Sequence, residues 1–151
     1  RILCLRSNSR MRMPANKRTD AYHDVVEQAG LPALVREVEF VKSDDEKSAV
    51  VAKILDENPD IDGIFAGDDT MAAICLNVMK QRGLSAPDDI KVVGADGARR
   101  TMTFMPDLTT VRQDIDRIGE LAAQSIIALV NGEKPESNTK LPVELIEGKT
   151  A

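Results

Sequence analysis

Aromatic side chains are scarce in this sequence, whose 151 residues include no Trp, one Tyr and three Phe. The interior must therefore be built from aliphatic side chains and from the six Met residues. A protein that stacks the bases of single-stranded nucleic acid depends on exposed aromatic rings. The composition argues against this class of protein.

A basic excess is missing as well. The chain carries 20 Lys and Arg against 25 Asp and Glu, which gives a net charge of −5. A domain that holds duplex DNA does so mainly through phosphates, and it presents a basic face. No stretch here is uniformly basic, and the densest positive run lies between Arg10 and Arg18. We therefore do not expect this chain to hold DNA by itself.

Cysteines and long apolar runs are also few. Cys4 and Cys75 lie in apolar segments without a C-x-x-C pair, which favours buried free thiols in a reducing compartment. No apolar stretch reaches the roughly 18 residues of a membrane span. The chain opens directly on the strand-like run 2–5, with no signal peptide before it. We expect a cytoplasmic protein without a membrane partner, and so abrupt a beginning suggests a fragment.

Strand-like and helix-like segments alternate along most of the chain. The apolar run at 2–5 is typical of a strand buried on both faces, and further strand-like segments lie at 35–40, 62–67 and 90–95, with helical spacing between them. Strands joined by helices indicate βαβ units and a parallel sheet. The sequence therefore predicts an α/β fold.

The rhythm changes after residue 96. Residues 97–108 have the composition of a loop, a short extended segment covers 108–111, and a last strand covers 141–146. Between them lies a strongly amphipathic helix. Its apolar stripe consists of Ile115, Ile118, Ala122, Ile126, Leu129 and Val130.

Acidic residues follow two of the predicted strands. Asp68 and Asp69 come directly after the strand at 62–67, and Asp96 follows the strand at 90–95. In an open parallel sheet, ligands bind at the carboxyl ends of the strands. Asp69 is placed to cap the next helix, which is a structural role. For Asp68 and Asp96, a ligand role and a plain surface role both stay open.

An arginine is expected at the same edge of the sheet. Arg18 stands at the start of the first helix, after a polar loop that leaves the first strand. Carboxylates accept hydroxyl hydrogens and a guanidinium donates from a planar fork, so this combination suits a polyhydroxylated ligand. Arg18, Asp68 and Asp96 therefore form a candidate small-molecule site.

Catalytic motifs are absent from the sequence. There is no P-loop glycine pattern and no G-x-S-x-G motif, and no motif joins the one histidine, His23, to a nucleophile. A Mg²⁺-dependent phosphotransfer domain is an alternative that depends only on Asp68, Asp69 and Asp96. We expect no enzyme activity, no catalytic residue, no cofactor and no metal site.

Several segments, in this order, resemble the lactose-repressor (LacI/GalR) family of bacterial transcription regulators. The resemblance spans nearly the whole chain and implies a periplasmic-binding-protein-like fold. That fold has three layers, helix–sheet–helix, with a mostly parallel sheet, here as an incomplete two-lobed core. The segments are IFAGDDTMA at 64–72, RGL at 82–84, PDDI at 87–90, VVGAD at 92–96 and LTTVRQ at 108–113, with a closing LP strand at 141–142.

The resemblance also implies a division between two lobes. Residues 1–97 and 139–149 would form the C-terminal lobe of the effector-binding core. Residues 108–135 would cross to an N-terminal lobe that is mostly missing. A helix-turn-helix head would be missing too, so operator DNA would be bound only through that head. The apolar stripe of the crossing helix would then lack its usual sheet and be mobile, poorly packed or paired with another chain.

Individual residues match positions of the family that contact the effector. Arg18 stands in an R-x-x-G-aromatic pattern that ends at Tyr22, with Ala21 in place of Gly. Asp68 stands where many members have Asn, and this change gains an acceptor but loses two donors. The resemblance therefore leaves the particular effector open, and a donor-rich or cationic ligand becomes possible.

Further positions are implied for the effector site and for a dimer. Asp96 matches the acidic residue that usually holds sugar hydroxyls, and Gln113 and Ile115 match hinge and cleft positions. The resemblance implies homodimerisation through the segment of Phe104, Met105 and Pro106.

The resulting prediction is the effector-binding domain of a bacterial transcriptional repressor. A sugar or related small molecule would bind it and alter the operator affinity of the dimer. The alternative is a periplasmic sugar-binding protein of an ABC importer, which shares the fold. The segment at 108–113, the apolar Phe104-Met105 pair and the two buried thiols favour the regulator.

Overall fold

A computed structural model describes residues 1–8, 15–135 and 139–151. Strands and helices alternate through this part of the chain, as the apolar pattern predicts. In chain order the elements are β1 (Ile2–Asn8), α1 (Ala15–Gln28), β2 (Leu34–Glu39), α2 (Asp44–Glu57), β3 (Gly63–Ala66), α3 (Asp69–Gln81), β4 (Lys91–Asp96), α4 (Arg99–Phe104), β5 (Thr109–Gln113), α5 (Ile115–Val130) and β6 (Val143–Ile146).

The strands form one sheet in the order β2-β1-β3-β4-β5-β6. All neighbours pair in parallel except β5 and β6, which are antiparallel. β1 pairs with both β2 and β3. The strand order therefore reverses at β1, with β2 on one side of it and the later strands on the other. The carboxyl ends of β1, β3, β4 and β5 meet at one edge of this sheet. The predicted α/β fold with a mostly parallel sheet is confirmed.

Side chains of β1 alternate between two cores, one on each face of the sheet. Leu3 and Leu5 are fully buried in the larger core, which α2 and α3 cover. Cys4 points to the opposite face, where it packs with Tyr22 and Val26 of α1. Helices therefore cover both faces, which confirms the three-layer arrangement.

Tyr22 anchors the first helix to the sheet. Its hydroxyl donates to the carbonyl of Ile2 at 2.7 Å and accepts from the amide of Leu34 at 2.9 Å. A single buried hydroxyl thus satisfies groups on β1 and β2. This contact fixes the position of α1, the helix that carries Arg18.

Both cysteines are free and buried, as predicted. Burial disfavours the thiolate, so it raises the pKa of Cys4, and it raises the pKa of Cys75 to about 12. Thiols of this kind act as small apolar side chains in the core.

The structure differs from the predicted loop at 97–108. Residues 99–104 form the short helix α4, which buries none of its residues and has no side-chain cap. A helix that packs no face against the core has no apolar stripe, so periodicity could not detect it.

The long helix α5 is where the amphipathic pattern predicts it, but its apolar face is uncovered. None of its residues is buried, and both Ile126 and Leu129 are more than 60% exposed. Val143 and Leu145 of β6 are exposed as well. The start of the predicted crossing segment, β5, lies inside the sheet, and the assignment of 108–135 to a second lobe stays a prediction. Across the described residues, no helix has the length and apolar character needed to cross a membrane.

Candidate functional site

Four segments of the chain meet at the carboxyl edge of the sheet. α1 brings Arg18, the turn after β3 brings Gly67 and Asp68, and the ends of β4 and β5 bring Asp96 and Gln113. This edge includes the carboxyl end of β1, the strand at which the strand order reverses. Open α/β sheets bind their ligands at such a position. The topology therefore assembles the predicted site residues from distant parts of the sequence.

Asp96 is the centre of this cluster. Its Oδ1 atom accepts from Nη2 of Arg18 at 2.5 Å and from Nε2 of Gln113 at 2.6 Å. Nη1 of Arg18 donates to the carbonyl of Gly67 at 2.6 Å. The side chains of Arg18 and Asp96 keep 26% and 35% of their exposure, so a ligand hydroxyl can reach both charged groups. Three of the predicted residues thus lie together.

The backbone of Asp96 is strained. Its φ angle is 109°, in the region that side chains other than Gly seldom adopt. A conformation of this kind costs about 1–3 kcal/mol and persists only where the surroundings hold it. Strain at the end of a strand that carries a charged side chain is typical of a binding site.

The prediction that Asp69 caps the helix is wrong, because Asp68 is the residue that caps α3. Asp68 has an extended backbone, and its Oδ1 accepts from the amide of Met71 at 2.8 Å. Among the described residues, the contact of its Oδ2 is a long one of 3.5 Å with the hydroxyl of Ser7. Asp68 therefore has a structural role through one oxygen, and a ligand role for the other oxygen stays a prediction.

Asp69, the first residue of α3, is buried beneath the cluster with 3% exposure. Its Oδ1 accepts from the hydroxyl of Thr110 at 2.5 Å, and its Oδ2 accepts from the amide of Gly97 at 2.8 Å. The sequence analysis named Asp69 as a helix cap and missed these two contacts. The available signal was Thr110, because the hydroxyl of a Thr in a buried strand needs a polar partner.

Burial raises the pKa of Asp69 above its ordinary value of 3.8. Hydrogen bonds from Thr110 and Gly97 oppose this effect, and the nearby charge of Asp96 adds to it. Folding therefore favours the protonated form of Asp69. The contribution of this group to stability is present at low pH and is lost as the pH rises through the folded-state pKa.

Comparison with Asp69→Asn, whose amide does not titrate, should isolate this contribution. As the pH rises above the ordinary value of 3.8, we expect the urea midpoint of the natural protein to fall relative to that of the variant. A difference that stays constant with pH, or that moves in favour of the natural protein, would contradict the prediction.

An open groove of about 750 Å³ begins next to the cluster. Gly97 and Gln113 line it beside Asp96, and it continues to Ile115 at the start of α5 and to Pro142 before β6. The volume is in the range of small-molecule sites. Ile115, which is 53% exposed, therefore borders the groove and is not part of the hydrogen-bonded cluster.

The residues predicted for a dimer interface lie at the end of α4. Phe104 is 76% exposed, Pro106 is exposed, and Met105 packs partly against the larger core. Their role in dimerisation stays a prediction. In the described part of the chain, no group of three or more His, Cys, Asp or Glu side chains is arranged to hold a metal ion.

Comparison with known proteins places the whole chain in one family. A family model described as a periplasmic binding protein-like domain matches residues 1–151. The ribose operon repressor of Halalkalibacterium halodurans is 32% identical over 140 residues, which are 91% of this chain and 41% of that protein. The sucrose operon repressor of Pediococcus pentosaceus is also 32% identical over 91% of this chain, and 43% of its own length is covered.

A solved structure agrees with these relatives. The LacI family transcriptional regulator from Arthrobacter sp. FB24, in complex with lactose, matches 99% of this chain with a TM-score of 0.82 and 26% identity. The match covers 56% of that regulator, and the chain spans 41% and 43% of the two curated relatives. This chain therefore belongs to the periplasmic binding protein-like domain family, and its relatives in that family are LacI-family transcriptional regulators.

Proposed function

We propose that this chain is the effector-sensing domain of a transcriptional repressor that responds to a sugar. The observation that carries the proposal is the convergence of Arg18, Asp96 and Gln113, from three separate elements, at the carboxyl edge of the sheet. The names of the two curated relatives, a ribose and a sucrose operon repressor, support a sugar as the effector class.

The chemistry of the cluster suits neighbouring hydroxyl groups. A carboxylate accepts from hydroxyls and a guanidinium donates to them. Asp96 can therefore accept from one sugar hydroxyl while Arg18 donates to its neighbour. Arg18 and Gln113 share one oxygen of Asp96. A bound sugar would replace part of this contact. Oδ2 of Asp68, which lies 3.5 Å from the hydroxyl of Ser7, is a further acceptor at the same edge.

The connection of the site to α5 provides a route for a response. Gln113 is the last residue of β5, and α5 begins two residues later. A ligand that changes the hydrogen bond of Gln113 would bias the direction in which α5 leaves the sheet, and only a difference in affinity between two arrangements can shift their populations. As a repressor, the protein would act as a cytoplasmic homodimer and would bind its operator through a separate domain. The acidic net charge of −5 is consistent with a sensing role.

Calorimetric titration of a sugar panel that includes D-ribose, sucrose and lactose tests the proposal on the full-length protein. We expect one sugar to bind, and we expect Arg18→Ala and Asp96→Ala each to weaken it by more than about tenfold, or roughly 1.4 kcal/mol. Both variants remove a group that contacts the ligand directly.

Matched controls are available for both substitutions. Arg36 is exposed and its side chain donates to the adjacent carbonyl of Val35, and Asp24 is exposed on α1. Arg36→Ala and Asp24→Ala should leave the affinity unchanged. If a sugar binds and neither site substitution weakens it, the site assignment is wrong. If no sugar in the panel binds, the sugar-sensing function is wrong, and phosphosugars and nucleosides become the next ligands to test.

A further inference from the structure

We infer that Asp69 is a positioning residue of the effector site, which it holds in its binding arrangement without touching the ligand. This inference rests on the proposed function. Asp69 is 3% exposed and lies beneath the cluster, so a ligand at the edge of the sheet has no access to its carboxylate.

The two hydrogen bonds of Asp69 join the elements that carry the site. Asp69 is itself the first residue of α3, directly after the cap residue Asp68. One oxygen holds the amide of Gly97, the peptide group directly after Asp96. The other oxygen holds Thr110 on β5, three residues before Gln113. One buried carboxylate thus fixes α3, β4 and β5 relative to one another.

The sheet leaves space for this carboxylate. Gly94 of β4 is the register partner of Thr110. A Cβ atom at Gly94 would lie 2.5 Å from Oδ1 of Asp69 and 3.3 Å from the side chain of Leu108. The missing side chain at residue 94 therefore makes room for the Asp69–Thr110 hydrogen bond.

The strained backbone of Asp96 explains why such a residue is needed. A φ angle of 109° is kept only if the surroundings hold it. The amide of Gly97 belongs to the peptide group that follows Asp96, so a hydrogen bond to this amide restrains the orientation of that group. Burial also raises the pKa of Asp69, so folding has an energetic cost for the charged form of this group. A carboxyl group that is kept in a buried position despite the cost of desolvation is typical of functional sites.

Three variants separate positioning from general stability. Asp69→Ala removes both hydrogen bonds. Asp69→Asn can keep them, because its oxygen accepts from Gly97 and its amide group donates to the hydroxyl of Thr110, which can accept. Val51→Ala is the control, since Val51 is 1% exposed in the larger core on α2, away from the site.

The first measurement needs no ligand. ¹H–¹⁵N spectra of the labelled protein report the amide of Gly97 and the Nε–H group of Arg18. We expect Asp69→Ala to shift both signals and to speed hydrogen exchange at Gly97, while Asp69→Asn and Val51→Ala resemble the natural protein. If Asp69→Ala fails to fold, Thr110→Val, which removes one bond, should shift the same two signals by a smaller amount. Unchanged signals in the folded variant would overturn the inference.

The second measurement is the affinity for whichever sugar of the panel binds, at a temperature where every variant is folded. We expect Asp69→Ala to weaken binding about tenfold, the factor that roughly 1.4 kcal/mol represents. Val51→Ala should bind as the natural protein does despite its lower stability, and Asp69→Asn should restore most of the affinity. Equal losses in Asp69→Ala and Val51→Ala would indicate a purely structural role. If the natural protein binds no sugar, the proposed function fails and the spectra alone decide the positioning role.

Discussion

Replacing Gly97 with Ala should lower the free energy of unfolding by about 2–5 kcal/mol, the sum of a backbone term and an overpacking term. Gly97 has a φ angle of 59°, a conformation that disfavours a side chain by about 1–2 kcal/mol. A Cβ atom there would lie 2.6 Å from the Cα atom of Arg112. Because this obstacle is backbone on the neighbouring strand, rotation of a side chain cannot relieve it. Urea denaturation followed by circular dichroism measures the change.

Gly132 provides the matched control for this substitution. Its φ angle is 76°, and a Cβ atom there would meet nothing within 4 Å. Gly132→Ala should therefore cost only the backbone term of about 1–2 kcal/mol. The difference between the two variants measures the close approach of β4 and β5 at the site. Equal losses in the two variants would show that β5 can move away from Gly97 without cost.

Replacing Leu3 with Ala should lower the free energy of unfolding by about 3–5 kcal/mol, as in other fully buried Leu positions. Leu3 has no exposed surface, and it lies in the centre of the sheet with Leu34 and Ile64 as its register partners. A strand side chain stands out from its sheet, so the removal of Leu3 leaves a cavity between the sheet and the helices α2 and α3 that cover it. The surrounding structure relaxes only partly into such a cavity.

Leu145→Ala is the control for the core substitution. Leu145 lies on the edge strand β6 and is 56% exposed, so its removal should cost less than about 1 kcal/mol. The two variants delete the same atoms, and the same urea experiment compares them. Similar losses would contradict the prediction and would indicate that Leu145 is covered in solution.

Much of the site could be predicted because it depends on strand order and on local residue type. The alternating apolar runs indicate a parallel sheet, and in such a sheet residues after the strands share one edge. Arg18 and Asp96, which are 78 positions apart, were expected at that edge, and the structure pairs them at 2.5 Å. The resemblance to LacI-family regulators pointed to the same residues and to Gln113.

Other features could not be predicted, because they depend on single-residue offsets or on contacts between distant elements. The cap of α3 was expected at Asp69 and lies at Asp68, a difference of one residue in where the helix starts. Apolar periodicity does not resolve a difference of this size. The helix α4 escaped prediction because it packs no apolar face against the core.

The sequence by itself determined the fold class, the two buried thiols, the amphipathic helix and the edge of the sheet where the site lies. These follow from patterns a few residues long, and burial of apolar side chains enforces them wherever the chain folds. Only the tertiary structure decided the hydrogen-bond partners of Asp69. Its partners Gly97 and Thr110 lie 28 and 41 positions away, and they meet it because β4 and β5 pair beside α3. A buried carboxylate is stable only where such partners satisfy it, and that condition is set by packing in three dimensions.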